Sequence, residues 1–491
     1  MVKHLLYAFF LMALFLFSCI PQTAVSDQSG ETSPEGVPKK TFQTKPSAKA
    51  VASSAKPKTE LLEAAVLKQI FQSTYFGRKA LAPFYRSLNQ LTCCQKPVNI
   101  LHIGDSHTVG DKFSGRLRQL FQDRFGSGGR GMLPVGKPYH YFQPSNVSIS
   151  QTKGWEISNS LYKPDNSLYG LSGFRIQSAN PNDAITLTMT DGTDFDSIDI
   201  ELVQSPTAGT IVVEIGELRG RDRSNPWEIA TAAPSQTVGY YTIPVACGGH
   251  QVKISPKGDG PIELLSWTFK RKQSGVIYHS HGIVGATINV INHWNRNVVS
   301  SEIGLLDPSL IIVAFGTNEG FHDDLETGEY ARDFQARLAL LRNAAPQAAI
   351  VVVGPPDAAR LPSFCEKRIS LRCSRLMPNE IEHYLELLAD KDERLCRWHP
   401  PPKLEAVRKI QREVAVQNSY FFWDWSKVMG GACGIHTWAA EPNPPLSYQD
   451  HVHLTERGYH ISAEALFKEI MRPYLNDSAE SAVGLSADQE V

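Results

Sequence analysis

An excess of charge of either sign is the first thing missing from these 491 residues: Lys and Arg number 49 against 50 Asp and Glu, a net charge of −1. Proteins that hold nucleic acid through bulk charge are basic, so no nucleic-acid partner is expected. Gly (36) and Pro (31) are near their ordinary abundance and no repeat of fixed period is visible, which excludes collagen-like or wholly low-complexity architecture. Long hydrophobic runs are scarce too. Leu5 to Phe17 is the main one, and at about a dozen residues it is too short for a comfortable membrane span. What remains is an ordinary globular mix, 42% hydrophobic and 20% charged. At roughly 150 residues per domain the length allows two to three domains. A chain of this size does not need disulfides merely to fold.

The N-terminal run reads as an export signal, with Lys3 as its positive end. Leu16-Phe17-Ser18-Cys19 resembles a bacterial lipoprotein box, which implies cleavage after residue 18, a lipid on Cys19 and a periplasmic protein anchored to the membrane. A plain cleaved signal and an uncleaved anchor are the other two readings. Residues 19–59 are rich in Ser, Thr, Ala, Pro and Lys with hardly a large apolar residue, so they read as a disordered tether. It is either a simple solvated spacer or, through its six lysines, attracted to an anionic surface. Residues 476–491 are small, polar and acidic, the composition of a disordered tail.

Cysteine is not abundant, at eight. Cys365, Cys373, Cys396 and Cys433 fall late in the chain, and an oxidising compartment would permit disulfides among them. Free thiols are a second reading. Zinc held by Cys365, Cys373, Cys396 and His399 is a third, although the gaps match no familiar ligand spacing.

Between tether and tail the chain alternates strand and helix patterns. Val98 to Ile103 is a short apolar run ending at Gly104, as a buried parallel strand does, and similar runs recur at Leu310 to Phe315, Ala349 to Val353 and Tyr420 to Trp423. Helical stripes accompany them: Leu81, Phe84, Leu88, Leu91; Phe113, Leu117, Leu120, Phe121; Tyr330, Phe334, Leu338, Leu341; Leu404, Val407, Ile410, Val414; and Tyr459, Leu466, Phe467, Ile470. This pattern predicts an α/β fold with a parallel sheet covered on both faces. The middle differs. Ile185, Leu187, Met189 and Ile198, Ile200, Leu202 alternate with polar residues, as do Ile211, Val213, Ile215 and Leu265, Trp267, Phe269. Period two without helices predicts an all-β sandwich at 144–274, inserted between α/β parts at 60–143 and 275–475.

Four segments fall at the ends of α/β elements, where open parallel sheets place their sites. Gly104-Asp105-Ser106-His107 puts a Ser on a strand-to-helix turn, where it can be a nucleophile or part of an ordinary N-cap. Gly316-Thr317-Asn318-Glu319 offers a side-chain amide to an oxyanion, or is a plain turn. Gly282 to Ala286 could offer the Gly285 N–H as a further donor. Asp450-His451-Val452-His453 places a carboxylate three residues from an imidazole, the spacing of an oriented general base on one loop; a metal site or surface cluster would use the same histidines.

Taken together, Gly-Asp-Ser, Gly-x-Asn and Asp-x-x-His in that chain order resemble the SGNH (GDSL-like) hydrolase superfamily. The gap from Ser106 to Asn318 becomes a usual one once the β insert is set aside. Leu81 to Tyr85, Gly126 to Gly131, Gly282 to Ala286, Met429-Gly430-Gly431 and Asp450 to Tyr459 narrow the likeness to periplasmic peptidoglycan O-acetylesterases, which carry a carbohydrate-binding-like jelly roll within a three-layer SGNH fold. Cys433 and the long Cys-bearing loop at 360–402 depart from that pattern. The resemblance implies Ser106 as nucleophile, Asp450 and His453 completing the triad, and Ser106, Gly285 and Asn318 as oxyanion-hole donors. It implies an O-acetylated glycan as substrate and needs no metal or organic cofactor. An acetyltransferase on the same triad and a catalytically silent glycan-binding lipoprotein are the competing readings. Trp155, Tyr162, Tyr169 and Trp227 of the insert could stack on sugars or pack its core. On the glycan-binding reading, removing 144–274 spares a small ester and costs activity on the polymer.

Overall fold

Runs such as Val98-Asn99-Ile100-Leu101 have apolar side chains on both faces of the strand, and only a sheet covered on both sides can bury them all. The computed structural model describes residues 75–487, apart from 77, 95, 163–167, 219–220, 224, 369–371 and 442. The export signal, Cys19, the tether and residues 60–74 lie outside the described residues. The apolar runs form β1 (Val98–Gly104), β2 (Ser127–Gly129), β3 (Val276–Gly282), β4 (Pro308–Ala314), β5 (Ala349–Gly354) and β6 (Phe421–Asp424). Their order is β6-β5-β4-β1-β3-β2, all parallel, with Tyr75–Phe76 added antiparallel at the β6 edge.

Helices cover both faces: α1 (Ala82–Cys94), α2 (Phe113–Phe125), α3 (Arg296–Leu306), α4 (Thr327–Ala344), α5 (Leu404–Gln417) and α6 (Glu456–Ala487). Alternate strand residues divide between two cores, as the period of two requires. Ile100, Ile312, Val351 and Trp423 pack with Phe84 and Leu88 of α1, Phe121 of α2 and Leu466 of α6. Leu101, Ile311, Val352 and Phe422 pack with Ile303 of α3, Phe334 and Leu338 of α4 and Val407 of α5. The backbone of α6 continues to Ala487, through most of the stretch whose composition suggests a disordered tail.

The middle of the chain forms two antiparallel sheets. One holds Val147–Gln151, Ile185–Met189, Gln251–Pro256 and Thr210–Leu218, with Arg221–Arg223 and Trp227–Ala230 beside the last. The other holds Glu156–Asn159, Phe174–Ser178, Ile262–Lys270, Phe195–Gln204 and Thr237–Gly249. Their inner faces share one core, with Leu187, Val213 and Ile254 from the first sheet and Ile200, Trp267 and Phe269 from the second. One boundary moves. Gly131–Pro134 pairs with Ile262–Lys270, so the chain leaves the parallel sheet between Gly129 and Gly131, ahead of the expected 144. Glycine masks the change in the sequence, because a Gly-rich strand carries little alternation to read. Trp155 and Tyr169 are buried in packing, whereas Tyr162 and Trp227 are exposed.

Disulfides join Cys365 to Cys396 and Cys373 to Cys433, which overrides the free-thiol and zinc readings for these four residues. Cys93 and Cys94 are free and exposed. Among the described residues no helix is long and apolar enough to cross a membrane.

Candidate active site

Three strands end in one row. Gly104 at the end of β1 pairs with Gly282 of β3 on one side and Ala314 of β4 on the other. The turns that follow each strand therefore emerge side by side, and they carry Ser106, Gly285 and Asn318.

The first turn is held by Asp105. It caps the short helical turn Ser106–Val109, its carboxylate accepting the His107 N–H at 3.0 Å. Thr317 donates to the same carboxyl from the neighbouring turn. Burial outweighs these hydrogen bonds and raises the Asp105 pKa to about 6. Ser106 itself is half-buried, at the rim of the sheet. Beneath it His107 bonds the Tyr459 hydroxyl at 2.9 Å and packs on Trp425; burial drops its pKa to about 3, so it is a neutral structural ring.

The second turn is built by successive residues with different tasks. Gly316 has φ +130, and a Cβ there would meet Gln411 Nε2 at 2.7 Å, so only glycine fits. After Thr317, Asn318 Nδ2 donates to Ala286 O at 2.8 Å. That bond orients the amide and ties it to the third turn. Buried Glu319 then accepts the Ile288 N–H at 2.8 Å, and burial raises its pKa to about 7. Gly285, at φ +75 and exposed, sits in the segment so fastened.

The fourth segment arrives from the start of α6. His453 Nδ1–H donates to Asp450 Oδ2 at 2.7 Å, and Nε2 lies 3.0 Å from Ser106 Oγ. Asp450 also accepts the N–H groups of Val452 and His453 through Oδ1, both at 3.0 Å. Burial alone would raise the Asp450 carboxyl, but the His453 bond and the two backbone donors outweigh it and hold the pKa at about 2. The same Asp450 hydrogen bond raises His453 above the usual imidazole value, against burial and with help from the charges of Asp450 and Asp105. His451, between them, has its own place: it stacks on Trp398 with ring centroids 3.7 Å apart and bonds His436 at 3.0 Å. An anionic carboxylate, an oriented imidazole and a serine hydroxyl thus stand in line, with amide donors on the adjoining turns. Such a line can ionise a hydroxyl for attack on a carbonyl.

Ser106, Gly285, Asn318, Asp450 and His453 stand on the turns and loop that meet at this rim. Thr317, Glu319 and Tyr459, which fasten the turns, carry no signal of that role in the sequence, because each acts through a partner on another segment.

Residues 248–466 match the family model of the GDSL-like lipases and acylhydrolases. The match takes in Gly285, Asn318, Asp450 and His453 and excludes Ser106, which lies ahead of the β layer. Among solved structures, one described as a peptidoglycan O-acetylesterase in action superposes with TM-score 0.63 at 21% identity, over 81% of this chain and 98% of its own. A family two carbohydrate esterase from Clostridium thermocellum (TM-score 0.24, 9% identity, 67% of this chain and 99% of that one) is far more distant. So is a GDSL-like lipase from Bacteroides thetaiotaomicron (TM-score 0.26, 17% identity, 40% of this chain and 76% of that one). No curated protein sequence matches the chain. The chain has a mixed α/β fold built on a parallel sheet, together with additional antiparallel sheets, and its residues 248–466 are similar to the GDSL-like lipases and acylhydrolases.

Proposed function

We propose that this domain is a serine esterase removing O-acetyl groups from a cell-wall polysaccharide, peptidoglycan, through a Ser-His-Asp triad and an acyl-enzyme. The observation that carries the proposal is the continuous line Asp450 Oδ2, His453 Nδ1, His453 Nε2, Ser106 Oγ, with links of 2.7 and 3.0 Å. The GDSL-like match and the fold shared with a peptidoglycan O-acetylesterase support ester hydrolysis and an acetylated glycan.

In this mechanism His453 Nε2 takes the Ser106 proton as Oγ attacks the acetyl carbonyl. The tetrahedral oxyanion is met by the N–H groups of Ser106 and Gly285 and by the second amide hydrogen of Asn318, the first being committed to Ala286 O. One such donor is typically worth ~3 kcal/mol in the transition state. Collapse breaks the bond to the sugar oxygen, which leaves with the proton from His453. Water then attacks the acetyl-enzyme, gives its proton to His453, and acetate departs as Ser106 regains its hydrogen. The cycle draws only on side chains, backbone N–H groups and water.

The working place proposed is the periplasm, with a lipid on Cys19 as membrane anchor. The two disulfides fit an oxidising compartment. Acetate release from O-acetylated peptidoglycan, with de-O-acetylated material as the control, tests the function. Free acetate is expected; acetyl recovered on an added glycan instead would make the protein a transferase, and release of neither would end the proposal.

A further inference from the structure

Two tyrosines stand open beside the oxyanion turn. Tyr162 is 73% and Tyr141 52% exposed. An exposed aromatic ring alone is unremarkable, but the segments that carry these two are pinned in place. Tyr139 stacks on Tyr141 with centroids 5.5 Å apart and planes 9° from parallel, and it packs edge-on against Phe174. Its hydroxyl accepts the Val284 N–H at 3.0 Å, one residue before Gly285. On the other flank, the N–H groups of Leu161 and Tyr162 both donate to Asn159 Oδ1 at 3.1 Å, and the Ser160 carbonyl bonds His293 Nδ1 at 2.8 Å. Leu161 lies closest to Gly285, 3.9 Å from where a Cβ would stand. The two tyrosine segments therefore approach the Gly285 turn together, and Tyr162 lies near enough to Tyr141 to add to burial in raising the Tyr141 hydroxyl.

We infer that Tyr141 and Tyr162 form a subsite for a pyranose ring of the acylated polymer, next to the ring whose ester meets Ser106. This rests on the esterase reading and names the part of the substrate it grips. Ile283 N donates to Gly104 O at 3.1 Å, so the turn holding Gly285 is fastened to the strand that delivers Ser106. A carbonyl bound at the Gly285 N–H leaves the rest of its substrate lying over the 139–141 and 159–162 segments. Flat aromatic faces with polar rims suit the alternating C–H and hydroxyl surface of a sugar. An alkyl chain would call for an aliphatic trough, and the two side chains that stand open at this spot are phenols.

The test separates this subsite from the esterase reading. With Ser106→Ala as background, titration calorimetry measures binding of muramidase-released peptidoglycan disaccharide fragments, both O-acetylated and de-O-acetylated. Tyr141→Ala and Tyr162→Ala should each weaken binding of both forms about 3- to 10-fold, the range of one aromatic contact. Tyr162→Trp should restore it. In the Ser106 protein the same Ala variants should raise KM on the polymer and leave kcat/KM on a small acetyl ester within about twofold. Unchanged fragment binding in both Ala variants, or no binding by the parent, overturns the subsite whether or not acetate is released. A changed preference along a series of aryl esters of increasing acyl length would assign the surface to the acyl chain and overturn it too.

Discussion

In the proposed mechanism His453 must be neutral to accept a proton from Ser106, so its raised pKa has a direct kinetic consequence. At low pH a base with a raised pKa is protonated and idle. The kcat/KM for a small acetyl ester should therefore rise with pH through a midpoint above the roughly 6.5 of free imidazole, then level off. Asp450→Asn takes away the charge and the acceptor that cause the shift, so the midpoint should move down as the rate falls. That rate should fall less far than in Ser106→Ala or His453→Ala, which are expected to abolish turnover with an unchanged melting temperature. A midpoint that stays put in Asp450→Asn would take Asp450 out of the triad. For Asn318→Ala the expected loss is about 10²–10³ in kcat with little change in KM, since the amide acts on charge present only in the transition state. An effect confined to KM would make Asn318 a substrate-positioning residue instead.

At the level of strands and helices, α3 is joined to the β layer by a pair of acids. Glu302 accepts the Leu171 N–H at 2.6 Å, Glu201 accepts the Ser266 hydroxyl at 2.7 Å, and the two buried carboxyls bond each other. Two carboxyls can share a hydrogen bond only while at least one keeps its proton, and burial raises the pKa of both. Tyr240 and the Lys270–Asp199 ion pair line the same cavity of about 140 Å³. Folded-state pKa values above the unfolded ones mean stability that is complete below the ordinary carboxylate range and drains away as pH rises through the raised values. Denaturant midpoints measured from about pH 5 to about pH 9 should fall across that range and fall less in Glu302→Gln, whose amide donates without a proton to lose. An equal slope in both proteins would show that the pair is not the titrating element. The same scale explains what the sequence made legible. β1, β4, β5 and β6 are apolar enough to read directly, and the stripes on α4 and α5 mark their buried faces. β3 is hidden because His279 and His281 interrupt its apolar run, yet both are buried. His279 accepts the Met132 N–H at 3.1 Å and reaches Asn99 at 3.1 Å, which makes it a rivet between layers rather than a surface residue. Ser106, Asn318, Asp450 and His453 were legible because Gly-Asp-Ser, Gly-x-Asn and Asp-x-x-His follow one another in a single chain order. Thr317 and Tyr459 were not, because their value lies in a partner distant in sequence.

For the molecule as a whole, the β layer is a buttress as well as an insertion. Tyr139 bonds Val284, Asn295 N–H bonds the Tyr169 carbonyl at 2.8 Å, and Leu171 bonds Glu302. A cut at 144–274 would leave the strand Gly131–Pro134 without its partner, so the cleaner excision runs from Gly131 to Lys270, whose flanks already meet where Arg271 N–H bonds the Gly128 carbonyl at 2.8 Å. The expectation that a small ester is spared does not fit these contacts. Removing the layer should lower kcat on such an ester by at least about tenfold, the scale of a displaced oxyanion donor, and abolish work on the polymer. An unchanged kcat in a truncated protein whose circular dichroism shows it folded would reduce the layer to a passive neighbour. One consequence concerns how such a molecule comes into being. Ser106 and His453 are 347 positions apart along the chain, and β1 has no partner until β3 and β4 have been made beyond the whole β layer. The growing polypeptide can assemble the antiparallel layer from nearby pieces, but it must keep β1 waiting, an apolar strand prone to self-association. On the proposed mechanism no ester is cleaved until the loop before α6 exists, because that loop carries Asp450 and His453. A copy cut short during synthesis is therefore mute, and the hydrolase cannot be loosed by an unfinished chain.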